Sequence, residues 1–144
     1  MIVLALGVAG CRHSPQVPVG VAAENIRKLA LAYVQFAATN NGVGPTDRDS
    51  LAKFLAKRNG LSREEAEAYF VSPRDKQPYV VRWGQRPLGS GTIGPEVPKP
   101  SIIIIERIGA DGIRYVADGQ LGIRQLTAEE LDQVVPEAAT NNVR

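Results

Sequence analysis

The chain has 144 residues, 22% of them charged, and a net charge of +2 from 17 lysines and arginines against 15 aspartates and glutamates. The basic residues are scattered among acidic ones, which disfavours a nucleic-acid-binding protein, since such proteins gather lysine and arginine on one face. One cysteine cannot form an internal disulfide, and one histidine leaves little room for histidine-based catalysis or a histidine metal site.

The chain opens with an uncharged apolar run over residues 2–10 that ends in Val8-Ala9-Gly10-Cys11. This pattern resembles the end of a bacterial lipoprotein signal peptide, in which small residues precede the cysteine that receives the lipid. The run is much shorter than the ~20 apolar residues of a membrane-spanning helix. We therefore predict a signal peptide over residues 1–10 and lipidation at Cys11. The alternative is a buried N-terminal strand carrying a free thiol.

Residues 11–20 are predicted to be a tether, because they are largely polar and contain proline and glycine without helical or strand periodicity. Lipidation at Cys11 would anchor the mature chain to a membrane, facing the periplasm. Arg12 stands where inner-membrane lipoproteins typically carry aspartate, so the resemblance mildly favours the outer membrane.

The remaining chain, residues 21–137, is predicted to form one domain, followed by a flexible polar tail over residues 138–144. Apolar side chains at spacings of three and four predict a first helix over residues 21–41, with Asn40-Asn41-Gly42 as its stop. Its broad apolar face predicts packing on the core; a partner-binding helix is the alternative.

Two short helices should follow. Thr46 or Asp47 is placed to cap the first of these two short helices, which should end at Asn59-Gly60. Ser62 and Glu65 match a capping box for the second, which ends before Pro73.

The second half of the domain is predicted to be an antiparallel sheet of three to four strands. Strands are indicated over residues 78–83, 101–107, 113–117 and 121–124, with 84–100 as a long glycine- and proline-rich loop. The unbroken isoleucines of 102–105 predict a central strand buried on both faces. Asp118-Gly119 predicts a tight hairpin, and Thr127 with Glu130 predicts a capped terminal helix. Helices followed by strands indicate an α+β fold with the N-terminal helix packed on the sheet.

Three motifs resemble the globular domain of type IV pilin-like proteins and type II secretion pseudopilins. They are the helix ENIRKLALAY at 24–33, the segment SPRDKQPYVV at 72–81, and YVADGQL at 115–121 followed by LTAEEL at 126–131. The last resembles the F-A-D-G-x-V…L-[TS]-x-E-E ending of a prepilin-like family, whose histidine position is Ile108 here. The sequence shows neither a prepilin peptidase site nor an apolar assembly helix. The resemblance therefore implies a lipid-anchored, pilin-like envelope protein that contacts another envelope protein, and not a filament subunit.

The loop 84–100, with Arg82 and Arg86 beside it, is the predicted partner-contact surface. Its Gly89-Ser90-Gly91-Thr92-Ile93-Gly94 run matches G-x-G-x-x-G, but the proline-rich residues that follow cannot form the helix that dinucleotide binding requires.

Asp111 and Asp118 are weak metal candidates, because each precedes glycine in a turn and could join Asp75 or Glu106 around Ca²⁺. The second function considered is accordingly an extracytoplasmic module that binds Ca²⁺ or a small ligand. No cofactor is otherwise predicted. The sequence shows no nucleophile–base pair, so an enzyme is not expected.

Overall fold

The computed structural model describes residues 20–89 and 100–136. The predicted signal peptide, Cys11, almost all of the tether, part of the loop 84–100 and the tail 138–144 lie outside the described residues. The helices and strands are, in chain order, α1 Val21–Thr39, α2 Arg48–Asn59, α3 Arg63–Ala68, β1 Val80–Val81, β2 Ile102–Ile105, β3 Ile113–Asp118, β4 Ile123–Thr127 and α4 Ala128–Val134. The predicted α+β class, with a leading helix on an antiparallel sheet, is confirmed.

The sheet has the strand order β1-β2-β3-β4 with antiparallel neighbours throughout. β2 is therefore internal, and all four of its isoleucines are buried, as the apolar run predicted. The register between β2 and β3 shifts between Ile102 and Ile104. Because of this irregularity, Ile103 and Ile104 both join the core under α1, while Ile102 and Ile105 belong to a smaller core on the opposite face.

α1 covers one face of the sheet and contacts β2, β3 and β4. Its sheet-facing residues Ile26, Leu29 and Tyr33 are fully buried, which confirms that the helix packs on the core. The opposite face is covered by α4, whose Leu131 packs with Val116 and the two outward isoleucines of β2. This second cover is seven residues long.

Local sequence signals determine where the helices begin. The carboxylate of Asp47 accepts a hydrogen bond from the Ser50 backbone N–H at 2.8 Å, so Asp47 rather than Thr46 caps α2. Both predicted capping boxes form, at Ser62 for α3 and at Thr127 for α4.

The sheet differs from the prediction at its first strand and at its last hairpin. Residues 78–83 contribute only the two-residue strand β1, with Pro78 bridged singly to Val71. The last strand is Ile123–Thr127 rather than 121–124, because the turn is longer than a two-residue hairpin. Asp118 is the last residue of β3, and Leu121 takes the left-handed φ of 65° inside the turn.

Candidate functional site

The two ends of the loop 84–100 meet beside the end of β3. The Ser101 N–H donates to the Pro87 carbonyl at 3.0 Å, and the Gly119 N–H donates to the Ser101 carbonyl at 2.9 Å. A Cβ on Gly119 would collide with the Pro87 carbonyl oxygen. Glycine follows Asp118 here because the loop backbone passes so close, not because the turn requires a positive φ.

The start of the loop is held by a tyrosine of α1. The buried Tyr33 hydroxyl donates to the Arg82 carbonyl at 2.7 Å and accepts from the Gln85 N–H at 3.0 Å. Burial raises the pKa of this phenol, although its contact with Gln85 and the charge of Arg82 act in the opposite direction. The side chain therefore stays neutral and can keep both hydrogen bonds at physiological pH.

A cleft of about 740 Å³ opens beside these anchors, between the sheet and α4. Its lining residues are Arg82, Pro100, Ser101, Ile102, Asp118, Arg124 and Val134. Arg82 donates to the Ile102 carbonyl at 3.1 Å across the β1–β2 end of the sheet. Among the residues that the structure describes, two arginines and one aspartate line the cleft, and arginine is enriched in protein–protein interfaces.

The structure brings Arg82 and Asp118, two of the predicted site residues, to this one cleft. Arg86 lies elsewhere: it donates to the Asn41 carbonyl at 2.9 Å, just after α1, and lines a separate hollow with Leu88. The two arginines predicted to act together thus belong to different surfaces.

The predicted metal candidates lie at opposite ends of β3. Asp111 precedes the strand and Asp118 ends it, so the strand alone separates them by about 16 Å at 3.3 Å per residue. The Asp118 carboxylate accepts from the Gln120 and Gly122 backbone N–H groups, at 2.9 and 3.0 Å. Within residues 20–89 and 100–136 there is no group of three or more metal-ligating side chains. This geometry does not support a cation shared by Asp111 and Asp118, and a calcium site at Asp111 remains a prediction.

Asp75, proposed to join those ligands, instead holds the turn after β2. Its carboxylate accepts from the backbone N–H groups of Gln77, Ile108 and Gly109 at 2.8–2.9 Å. Partial burial would raise the pKa of Asp75, but these N–H groups together outweigh it and hold the pKa below its usual value. The ionised carboxylate is thus the form that the fold stabilises.

Glu106, the other proposed ligand, is the centre of a buried polar junction that the sequence did not reveal. Its carboxylate accepts from the Ser72 hydroxyl at 2.7 Å, from Arg74 at 2.9 Å and from the Tyr115 N–H at 2.8 Å. The Arg74 guanidinium lies 3.8 Å from the centre of the Tyr115 ring. The available signal was a charged residue directly after a fully buried strand. With its acceptor sites occupied by protein donors, Glu106 has a structural role.

Beside this junction lies the buried Tyr79. Within the described part of the chain its hydroxyl makes no hydrogen bond of ordinary geometry. Burial raises the pKa of this phenol far above its usual range.

No helix among the described residues has the length and apolar character needed to cross a membrane. In comparisons with protein-family models, curated proteins and solved structures, nothing matches this chain. The pilin-like and lipoprotein resemblances therefore stay predictions drawn from sequence motifs.

Proposed function

We propose that this protein is a lipid-anchored component of the bacterial cell envelope that acts through protein–protein contacts, with a pseudopilin-like domain linked to secretion or envelope assembly. The observation that carries the proposal is the Val8-Ala9-Gly10-Cys11 sequence, placed a short polar segment ahead of a folded α+β domain. Cys11 takes the lipid, residues 11–20 form the tether, and the domain faces the periplasm. The outer membrane is the favoured location.

The cleft beside the loop 84–100 supports a contact role. Its rim combines the cations Arg82 and Arg124 with Val134, whose surface is 48% exposed on α4. Exposed apolar surface beside arginine is typical of protein interfaces. The described ends of the loop are hydrogen-bonded to each other and, through Ser101, to Gly119 at the end of β3, so a partner would meet lining residues that are already held in place.

The anchor is tested by expressing the full chain and a Cys11→Ala variant in a bacterial host. We expect the unsubstituted chain to lose residues 1–10, gain the mass of a lipid and partition with membranes, while Cys11→Ala does none of these. An unmodified, full-mass chain in the soluble fraction would refute the lipoprotein assignment.

The contact surface is tested by placing a photo-crosslinking amino acid at position 124, on the cleft rim, and at the exposed position 76 as a matched control. In cells of the source organism we expect a covalent protein adduct from position 124 and much less from position 76. Equal adducts at both positions, or none at 124, would contradict the assignment of the cleft.

A further inference from the structure

A groove runs along α1 on the side that faces α2 and α3. The groove contains two adjacent hollows, a larger one of about 400 Å³ and a smaller one of about 300 Å³. Leu61 and Tyr69 line both. From α1, the groove is lined by residues spaced three or four apart, namely Asn25, Lys28, Leu31, Ala32 and Gln35. This spacing places them on one stripe of the helix.

The larger hollow has an apolar floor and a basic rim. Leu55 and Leu61 form part of the floor, and Leu31 of α1 is 40% exposed at its edge. Lys28 and Arg58 are its charged residues, and no aspartate or glutamate lines it among the described residues. An apolar surface flanked by two cations is complementary to an apolar group next to a carboxylate.

Three other basic residues of α2 and α3 are matched with acids. Arg48 pairs with Glu67, and both Lys53 and Arg63 pair with Asp49, all at 2.7 Å.

In contrast, Arg58 makes no ion pair with any residue that the structure describes. Lys28 likewise makes no ion pair among the described residues; its Nζ donates to the Tyr69 hydroxyl at 3.3 Å and lies 5.3 Å from the ring centre. The larger hollow thus carries two positive charges that the described fold leaves without a carboxylate. The smaller hollow is lined by Glu65, whose carboxylate accepts from the Ser62 N–H in the capping box.

The length of the groove favours a peptide over a compact small molecule. From Asn25 to Gln35 is ten residues of helix, or about 15 Å at 1.5 Å per residue. An extended chain covers that distance in four or five residues at about 3.3 Å each.

We propose that this groove binds an extended segment of a partner protein that carries an aliphatic or aromatic side chain next to an acidic residue. The apolar side chain enters the larger hollow against Leu31 and Leu55, and the carboxylate lies between Arg58 and Lys28. This inference rests on the proposed function, a role in protein–protein contact, and specifies the chemistry of the partner segment. It places that contact on the helical side of the domain, away from the cleft.

The test uses the full chain carrying Cys11→Ala as target for a displayed library of random linear peptides. We expect enriched peptides to carry an acidic residue beside a large apolar one. The strongest peptide is then synthesised and titrated into the ¹⁵N-labelled target, where backbone signals of Lys28, Leu31 and Arg58 should shift.

Arg58→Ala and Lys57→Ala form a matched pair, because they remove the same charge from adjacent exposed positions of α2 and only Arg58 lines the groove. Loss of a charge-assisted hydrogen bond predicts at least about tenfold weaker binding for Arg58→Ala. Lys57→Ala should stay within about twofold, as expected for screening of a distant exposed charge. Leu31→Ser should also weaken binding. Arg58→Ala and Leu31→Ser should both keep the folded spectrum of the parent chain.

Enrichment of peptides without acidic residues, equal effects of the two substitutions, or no enrichment would overturn the proposal. A parallel arm uses phosphatidylglycerol and phosphatidylcholine vesicles. Arg58-dependent binding to the anionic vesicles, with no peptide enriched, would assign the groove to lipid headgroups and also overturn it. Because the target lacks Cys11, the peptide experiment does not depend on lipidation. A failed anchor experiment and a failed peptide-binding experiment can therefore be told apart.

Discussion

The junction around Glu106 contains a buried, paired charge, whereas the groove along α1 contains exposed cations without a described acidic partner. Glu106 is fully buried, and its carboxylate accepts from three donors of distant segments. Arg58 lies at the surface and has no acidic partner among the described residues. Burial makes an unpaired charge costly, whereas water solvates an exposed one at little cost.

Stability should therefore depend on the junction, and binding on the groove. A buried charge must be paired inside the fold, so substitution of Glu106 should change the free energy of unfolding. An exposed cation above an apolar hollow contributes little to the fold and is available to a partner. We therefore expect substitutions at the junction to change stability, and substitutions at the groove to change binding only.

The largest effect is expected at the junction. Glu106→Ala would leave Arg74, Ser72 and the Tyr115 N–H without their acceptor in a buried site. We expect the free energy of unfolding to fall by about 3 kcal/mol or more, as when one partner of a buried ion pair is removed. Equilibrium denaturation in urea measures this loss.

Glu106→Gln is the matched control, because it keeps the shape and one acceptor oxygen while removing the charge. It should lie between the parent chain and Glu106→Ala. A loss below about 1 kcal/mol for Glu106→Ala would show that the junction does not stabilise the fold, since ordinary single hydrogen bonds contribute that much.

A smaller effect is expected where α1 holds the loop. Tyr33→Phe removes the hydroxyl that joins the Arg82 carbonyl and the Gln85 N–H. We expect a loss of about 1–2 kcal/mol in the free energy of unfolding, because two part-buried backbone groups lose their partner. Hydrogen exchange at the Gln85 amide should also become faster than in the parent chain.

Tyr69→Phe serves as its control, since that hydroxyl is part-exposed and meets only Lys28. Its effect should stay within about 0.5 kcal/mol, the usual range at exposed positions. Equal losses for the two substitutions would remove the special role of Tyr33.

The parts of the fold that sequence predicted correctly depend on signals within a few residues. The spacing of apolar residues predicted α1, and the pairs Ser62–Glu65 and Thr127–Glu130 predicted the starts of α3 and α4. Likewise, the isoleucines of β2 predicted an internal strand, because only a strand covered on both faces buries consecutive apolar side chains.

The parts that sequence could not predict depend on residues far apart in the chain. Ser72 and Glu106 are 34 positions apart, and Lys28 and Tyr69 are 41 apart. No local periodicity records such pairs. The same limit applies to Asp118-Gly119, which predicts a tight hairpin, because the close approach of Pro87 that requires glycine at position 119 involves another segment of the chain.

The third effect depends on pH and concerns Asp75. Its folded-state pKa lies below its unfolded value, so its contribution to stability is complete above the unfolded pKa of about 4 and is lost as the pH falls through the folded pKa. We expect Asp75→Asn to be less stable than the parent chain at neutral pH and to lose less stability on acidification. Urea denaturation over a pH series measures both.

Asp132→Asn, at an exposed position of α4, controls for the removal of one negative charge. Its free energy of unfolding at neutral pH should stay within about 0.5 kcal/mol of the parent chain. If Asp75→Asn gave the same profile as the parent, the N–H groups around that carboxylate would not stabilise its ionised form.

The smallest effect, and the sharpest contrast with Glu106, is expected at Arg58. Arg58→Ala should change the free energy of unfolding by no more than about 0.5 kcal/mol, because no described acid loses a partner and the position is exposed. Lys57→Ala should behave in the same way, as measured by urea denaturation of both. A loss above about 1 kcal/mol confined to Arg58→Ala would mean that its side chain supports the helical face through packing of its aliphatic stem. If Arg58 proves dispensable for stability yet necessary for peptide binding, its role is to bind a partner.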